Sequence, residues 1–192
     1  RGASAHAPEN TLLAFRRAIE DGAQLLECDV HLSADGEVVV MHDETIDRTA
    51  AADSPLRTGA IGELTRAELD TVLLEEGEKV PSLAELLEMT TVPVFIEVKV
   101  AGAGEAVAAL LADLPAGSPA KASTVISFHA EALEAIRRGS PDTSVSYLVG
   151  QVVEESIATA RALGADGIGP AIDGLSLAAA RAVHEAGLRL NP

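Results

Sequence analysis

Apolar residues recur along this chain with two different periods, and each switch between them marks the start of a new element. Leu12, Phe15, Ala18 and Ile19 recur at helical spacing after Pro8-Glu9-Asn10-Thr11, where Asn10 or Thr11 can cap the first turn, and Gly22 ends the run. Short apolar runs predict strands at 25–30, 38–41, 92–98, 124–128, 145–149, 167–169 and 188–190. Helical patterns lie between most of them, over 105–113, 131–138, 153–163 and 177–186. Thr65-Arg66-Ala67-Glu68 and Ser82-Leu83-Ala84-Glu85 have the form of capping boxes. Strands alternating with helices predict a parallel sheet.

The first two strand runs are separated by Ser33-Ala34-Asp35-Gly36-Glu37, and Asp-Gly between alternating apolar residues is a two-residue hairpin signal. With Asp35 and Gly36 as the loop, Ala34 faces Glu37 and Asp29 faces His42. Opposed residues on an antiparallel pair have Cβ atoms roughly 4.5–5.5 Å apart. Glu27 projects from the same face as Asp29, two positions earlier. The hairpin is therefore expected to gather two carboxylates and an imidazole on one patch.

Short buried strands of this kind build either an open doubly wound sheet or a closed (β/α)8 barrel. Glu27, Asp29, His42, Glu97 and Lys99 all stand at or just past the downstream ends of apolar runs, where a barrel builds its active site. An open sheet would place its ligand beside a glycine-rich phosphate turn. The only such candidate, Gly102-Ala103-Gly104, has Val107 where a third glycine is needed, and is expected to be a mobile loop.

The 192 residues suffice for one core, and no composition shift divides them, so a single domain is expected. The chain carries 30 Asp and Glu against 14 Lys and Arg, a formal net charge of −16. That balance argues against nucleic acid or an anionic membrane as partner, and no apolar run approaches the length of a membrane span. An anionic substrate would have to be held by local cations. The single cysteine, Cys28, excludes an internal disulfide and fits a reducing, cytoplasmic setting. It lies between Glu27 and Asp29, so it faces the other way and reads as a small buried hydrophobe.

Glu97 and Lys99 repeat the two-residue spacing of Glu27 and Asp29 at the end of a second strand. Three carboxylates from two strand ends suit a hard divalent cation, Mg2+ or Ca2+, rather than zinc. Arg1 and Lys99 are cations able to hold phosphoryl oxygens, and His42 is the natural general acid or base. Of the other histidines, His6, His129 and His184 read as surface or packing residues, and His31 shares the face of Glu27 and Asp29. Asp43 and Glu44 are placed to orient His42 or to solvate its loop, and Arg48 to anchor that loop.

Taken together, Arg1-Gly2-Ala3-Ser4, Pro8-Glu9-Asn10-Thr11, Glu27-Cys28-Asp29-Val30, Asp35-Gly36, His42-Asp43, Asp47-Arg48-Thr49, Val80-Pro81-Ser82-Leu83, Glu97-Val98-Lys99 and Ser127-Phe128 resemble the glycerophosphodiester phosphodiesterases, in order and over essentially the whole chain. The resemblance implies a (β/α)8 TIM barrel of the phospholipase C-like phosphodiesterase type, with a small insertion at about 45–88. It also implies a divalent cation on Glu27, Asp29 and Glu97, phosphate contacts from Arg1 and Lys99, and proton transfer by His42. The implied reaction splits a glycerophosphodiester into glycerol 3-phosphate and an alcohol. The alternatives are a lysophospholipase D-like barrel and a noncatalytic barrel binding module. By the same resemblance a second histidine would directly precede Arg1, and the first and last barrel strands would lie outside the 192 residues. The chain is accordingly expected to be an incomplete barrel, poorly active in isolation.

Overall fold

In the computed structural model, which describes residues 1–191, every predicted strand and helix is present with ends shifted by at most two residues. Helix α1 (Leu12–Glu20) leads into β1 (Leu26–Leu32), and β2 (Val38–Val40) returns beside it. The short helices α2 (Arg66–Leu69) and α3 (Leu83–Met89) follow, then β3 (Val94–Val98), α4 (Gly104–Ala112), β4 (Thr124–Ser127) and α5 (Ala130–Gly139). The chain continues through β5 (Ser144–Val149), α6 (Glu154–Ala162), β6 (Gly167–Pro170), α7 (Leu177–Glu185) and β7 (Arg189–Leu190).

Local chemistry explains where the helices begin. Thr11, not Asn10, caps α1, its Oγ1 accepting from the Ala14 amide at 3.1 Å. Both predicted capping boxes form, Thr65 with Glu68 on α2 and Ser82 with Glu85 on α3. The segment Gly102-Ala103-Gly104 is not the expected loop. It makes a helical turn into α4, and a side chain at Gly104 would meet the Ala132 backbone at 2.8 Å, so glycine is what lets α4 lie against α5.

The seven strands form one sheet in the order β2-β1-β3-β4-β5-β6-β7, six of them parallel and β2 antiparallel to β1. It is an open arrangement, with β2 and β7 at its ends. The outer side of β2 is covered in part by the chain before α3, where Pro81 accepts from the Val40 amide at 2.8 Å. One face of the sheet packs Cys28, Val30, Ile96, Val98, Val125, Val145 and Ile168 against Phe15, Leu86, Val107, Leu133, Ala160 and Val183 of the helices. The alternate residues Glu27, Phe95, Glu97, Ile126 and Leu148 line a cavity of about 310 Å3 on the other face. Cys28 is fully buried, as expected, and burial pushes its thiol well above the ordinary range, with the neighbouring carboxylates adding to the effect.

The hairpin register differs from the expectation by one residue. Val30 pairs with Val40 and Leu32 with Val38, so Ser33 faces Glu37 across a three-residue loop, and Asp29 faces Met41 rather than His42. Gly36, with φ of 88°, occupies the left-handed position that a three-residue hairpin requires. The larger loop is held from outside the hairpin. Asp35 accepts from Ser33 Oγ at 2.7 Å and from the Arg66 amide at 2.9 Å, and the Ala34 amide donates to the Leu64 carbonyl. A slip of one residue turns every side chain of a strand to the other face, so His42 is not directly across from Asp29.

Between β2 and α3 the chain builds a second apolar cluster from Val39, Met41, Ile46, Ile61, Leu69, Val72, Leu74 and Val80. Helix α3 belongs instead to the main core through Leu83, Leu86 and Leu87.

Candidate active site

Neighbouring parallel strands bring the carboxylates together. Asp29 of β1 is in register with Glu97 of β3, and Glu27 lies one pleat repeat before Asp29 on the same face. Glu27, Asp29 and Glu97 each offer an oxygen within 4.8 Å of the other two. Asp29 is only 1% exposed, so its charge requires compensation. Arg1 Nε lies 3.2 Å from its Oδ2, Lys99 Nζ lies 3.4 Å from its Oδ1, and Asn10 Nδ2 donates to Oδ2 at 3.0 Å. Lys99 also bonds Glu97 at 2.9 Å. Burial works against the Lys99 charge, but the hydrogen bond and charges of Glu97 and Asp29 outweigh it and leave the ammonium more basic than usual.

Arg1 is delivered by a tight approach. Gly2, with φ of 70°, lies so close to α1 that a side chain there would meet the Ala14 backbone at 2.6 Å. The Arg1 backbone nitrogen donates to Glu27 Oε2 at 2.6 Å, and the guanidinium reaches Glu9 at 3.5 Å and Asp29.

His42 sits on the loop that follows β2, with no direct hydrogen bond or ion pair to the three carboxylates among the described residues. It joins them through a chain of ion pairs. Asp43 Oδ1 is 2.7 Å from His42 Nδ1, and Arg48 donates to Asp43 through Nε at 2.6 Å. The same guanidinium grips Glu9 through both terminal nitrogens, at 3.1 and 2.7 Å, and Glu9 pairs with Arg1. The Arg48 and His42 hydrogen bonds hold Asp43 well below the ordinary carboxylate range, and Arg48 lowers Glu9 in the same way. Arg48 does anchor its loop, but it also reaches across to the segment before α1.

Of the remaining histidines, His31 is buried at 5% exposure and its Nε2 lies 3.2 Å from the His42 carbonyl, so it props the His42 loop from β1. Burial lowers its pKa below the usual imidazole value. His129 is exposed and braces the Lys99 carbonyl at 2.9 Å, and His6 and His184 are exposed.

Asn10, which shares with Thr11 the reading of a possible helix cap, is a site residue that sequence reasoning missed, as is Glu9. Asn10 is 1% exposed, takes a left-handed φ of 57°, and aims its amide at Asp29. Its signal is that only one of two adjacent cap candidates can cap, which frees the other. Asn10 Oδ1 is buried with no protein partner, an unsatisfied acceptor beside an all-oxygen carboxylate cluster. Hard oxygen donors, a vacant acceptor and three converging carboxylates fit a divalent cation.

The sequence model of the glycerophosphoryl diester phosphodiesterase family matches residues 1–192. The chain belongs to this family. Among family proteins, "Glycerophosphodiester phosphodiesterase" of Caldanaerobacter subterraneus is 41% identical over 91 residues, covering 46% of this chain and 37% of that protein. "Probable glycerophosphodiester phosphodiesterase 1" of Mycobacterium tuberculosis is 32% identical over 199 residues, covering 91% of this chain and 72% of the relative. An Oleispira antarctica phosphodiesterase, solved with its product sn-glycerol-3-phosphate, superposes with a TM-score of 0.87 at 25% identity, over 99% of this chain and 80% of that one. The open sheet described above is thus most of a glycerophosphodiester phosphodiesterase TIM barrel, and no described helix is long and apolar enough to cross a membrane.

Proposed function

We propose that this protein hydrolyses glycerophosphodiesters to glycerol 3-phosphate and an alcohol. The observation that carries the reading is the convergence of Glu27, Asp29 and Glu97, flanked by Arg1 and Lys99, at the strand ends of a chain of this family. The glycerol 3-phosphate bound by the Oleispira relative supports the product assignment.

Each residue has a part that its surroundings suit. Glu27, Asp29 and Glu97 would hold the cation, Mg2+ or Ca2+, which when bound would neutralise charge on phosphoryl oxygens and acidify the attacking water. Lys99 and Arg1 hold the phosphate, Lys99 as a point charge and Arg1 through a fork of donors. Their ion pairs to Asp29 keep both cations at the cluster before substrate arrives. His42 moves a proton as the phosphorus–oxygen bond to the alcohol breaks, the departing oxygen leaving protonated and the oxygen of water remaining on the phosphate. Asn10 holds Asp29 in orientation through its side-chain amide.

Phosphorus-31 spectroscopy of glycerophosphocholine and glycerophosphoethanolamine, incubated with the protein and Mg2+ or Ca2+, should show glycerol 3-phosphate accumulating. Release of a phosphorylated alcohol, or no turnover of any glycerophosphodiester, would overturn the reading. Calorimetric titration of Mg2+ and Ca2+ into wild type and Asp29→Ala should show affinity lost in the variant, and equal affinities would remove the proposed ligand set.

A further inference from the structure

Arg48 does more in this structure than tie down its own loop. Its guanidinium spans two carboxylates that belong to different parts of the chain. Nε and one terminal nitrogen engage Asp43 at 2.6 and 3.1 Å, while the two terminal nitrogens engage Glu9 at 3.1 and 2.7 Å. A planar fork with five donors can hold two carboxylates at once, which an ammonium cannot do in the same geometry. The bridge closes the gap between the His42 loop and the segment before α1, so that His42, Asp43, Arg48, Glu9, Arg1 and Asp29 form one continuous series of contacts.

The electrostatic consequence falls on the histidine. An ionised carboxylate can only accept hydrogen bonds, so the 2.7 Å contact between Asp43 and His42 Nδ1 requires the proton to sit on Nδ1. In the neutral ring Nε2 is then the nitrogen left to take a proton. Asp43 is ionised at neutral pH with or without Arg48; what Arg48 does is hold it turned toward the ring, since the guanidinium engages both carboxylate oxygens. The other charged or titratable groups around the ring are Glu9 across the bridge, Glu44 next in the chain after Asp43, and His31, which touches the His42 carbonyl rather than its ring.

We propose that Arg48, anchored by Glu9, is the positioning residue that sets the tautomer of His42 for proton transfer through Nε2. This rests on the reading of His42 as the proton-transfer group. The test therefore includes a readout that does not depend on turnover.

Nitrogen-15 spectroscopy of the histidine ring in the full chain should show His42 protonated on Nδ1 in the wild type, with a rising share of the Nε2-protonated form in Arg48→Gln and in Glu9→Gln. Loss of a partner one layer behind a reacting group costs typically about 10–100-fold, and kcat of Arg48→Gln should fall by that factor while KM stays within about twofold. Arg48→Lys should recover only part of the loss, because it can satisfy one carboxylate and not both. Thermal melts identify any variant that fails to fold. If Arg48→Gln is lost in that way, Arg48→Lys and Glu9→Gln carry the test. Unchanged ring signals in the folded variants overturn the proposal, and so do shifted ring signals with wild-type kcat. If the wild type turns over no glycerophosphodiester, the functional reading fails separately, and the ring signals still decide whether Arg48 sets the tautomer.

Discussion

The two halves of the candidate site are built by different means. The carboxylates stand on strands: Asp29 and Glu97 are paired in the register of β1 and β3, and their positions follow from the hydrogen-bond ladder. His42 stands on a loop, and its position follows from a hairpin of three residues, an ion-pair bridge through Arg48 and a prop from His31. A ladder has few ways to be wrong. A loop has many, and this one is specified by a contact with a residue as distant in sequence as Glu9 and by a hairpin register that Arg66 helps to hold through Asp35.

That contrast predicts separable failures. The largest effect should come from the loop side: His42→Asn should lower kcat by about 10²–10⁴-fold, the usual worth of a positioned acid or base, with cation affinity unchanged. Asp29→Asn should cost about 10²–10³-fold and take cation affinity with it, leaving Arg1 and Lys99 without their shared counterion. Calorimetry beside steady-state kinetics separates the two, and loss of cation affinity in His42→Asn would merge the halves into one unit. Next in size is Gly36→Ala. A non-glycine residue in the left-handed region costs about 1–2 kcal/mol, so the midpoint of urea unfolding should fall accordingly, and an unchanged midpoint would refute the three-residue hairpin.

The smallest effect is one of acid stability. Asp43 and Glu9 are more acidic when folded than when unfolded, so the unfolded chain binds more protons as pH falls. Their contribution is complete above about pH 5, the range in which unfolded carboxylates are ionised, and it fades as pH drops toward their folded values. Arg48→Gln should flatten the dependence of unfolding free energy on pH below about pH 5 and leave the carboxylate cluster's cation affinity intact. His31 acts in the same direction at higher pH: burial lowers its folded value, so its charging disfavours the fold as pH falls below about 6.5.

The same contrast explains what the sequence revealed. Period-two alternation placed Glu27, Asp29 and Glu97 on one face and Cys28 on the other, and capping chemistry placed α2 and α3, because both depend on neighbours in sequence. The hairpin register depended instead on the Arg66 amide and the Leu64 carbonyl, which Asp35 and Ala34 meet only after folding. A two-residue turn was the better local answer, and distant partners overrode it. Asn10 was hidden for a similar reason: its role is defined by Asp29, 19 residues away.

Strand β2 has only three residues, all valines and all buried, yet it faces two apolar clusters at once. Val38 and Val40 insert into the main core, and Val39 belongs to the smaller cluster built between β2 and α3. His42 follows two residues after that strand. Motion of either cluster that displaces β2 would therefore displace the His42 loop as well, so the order of that loop is coupled to the local stability of both packing units.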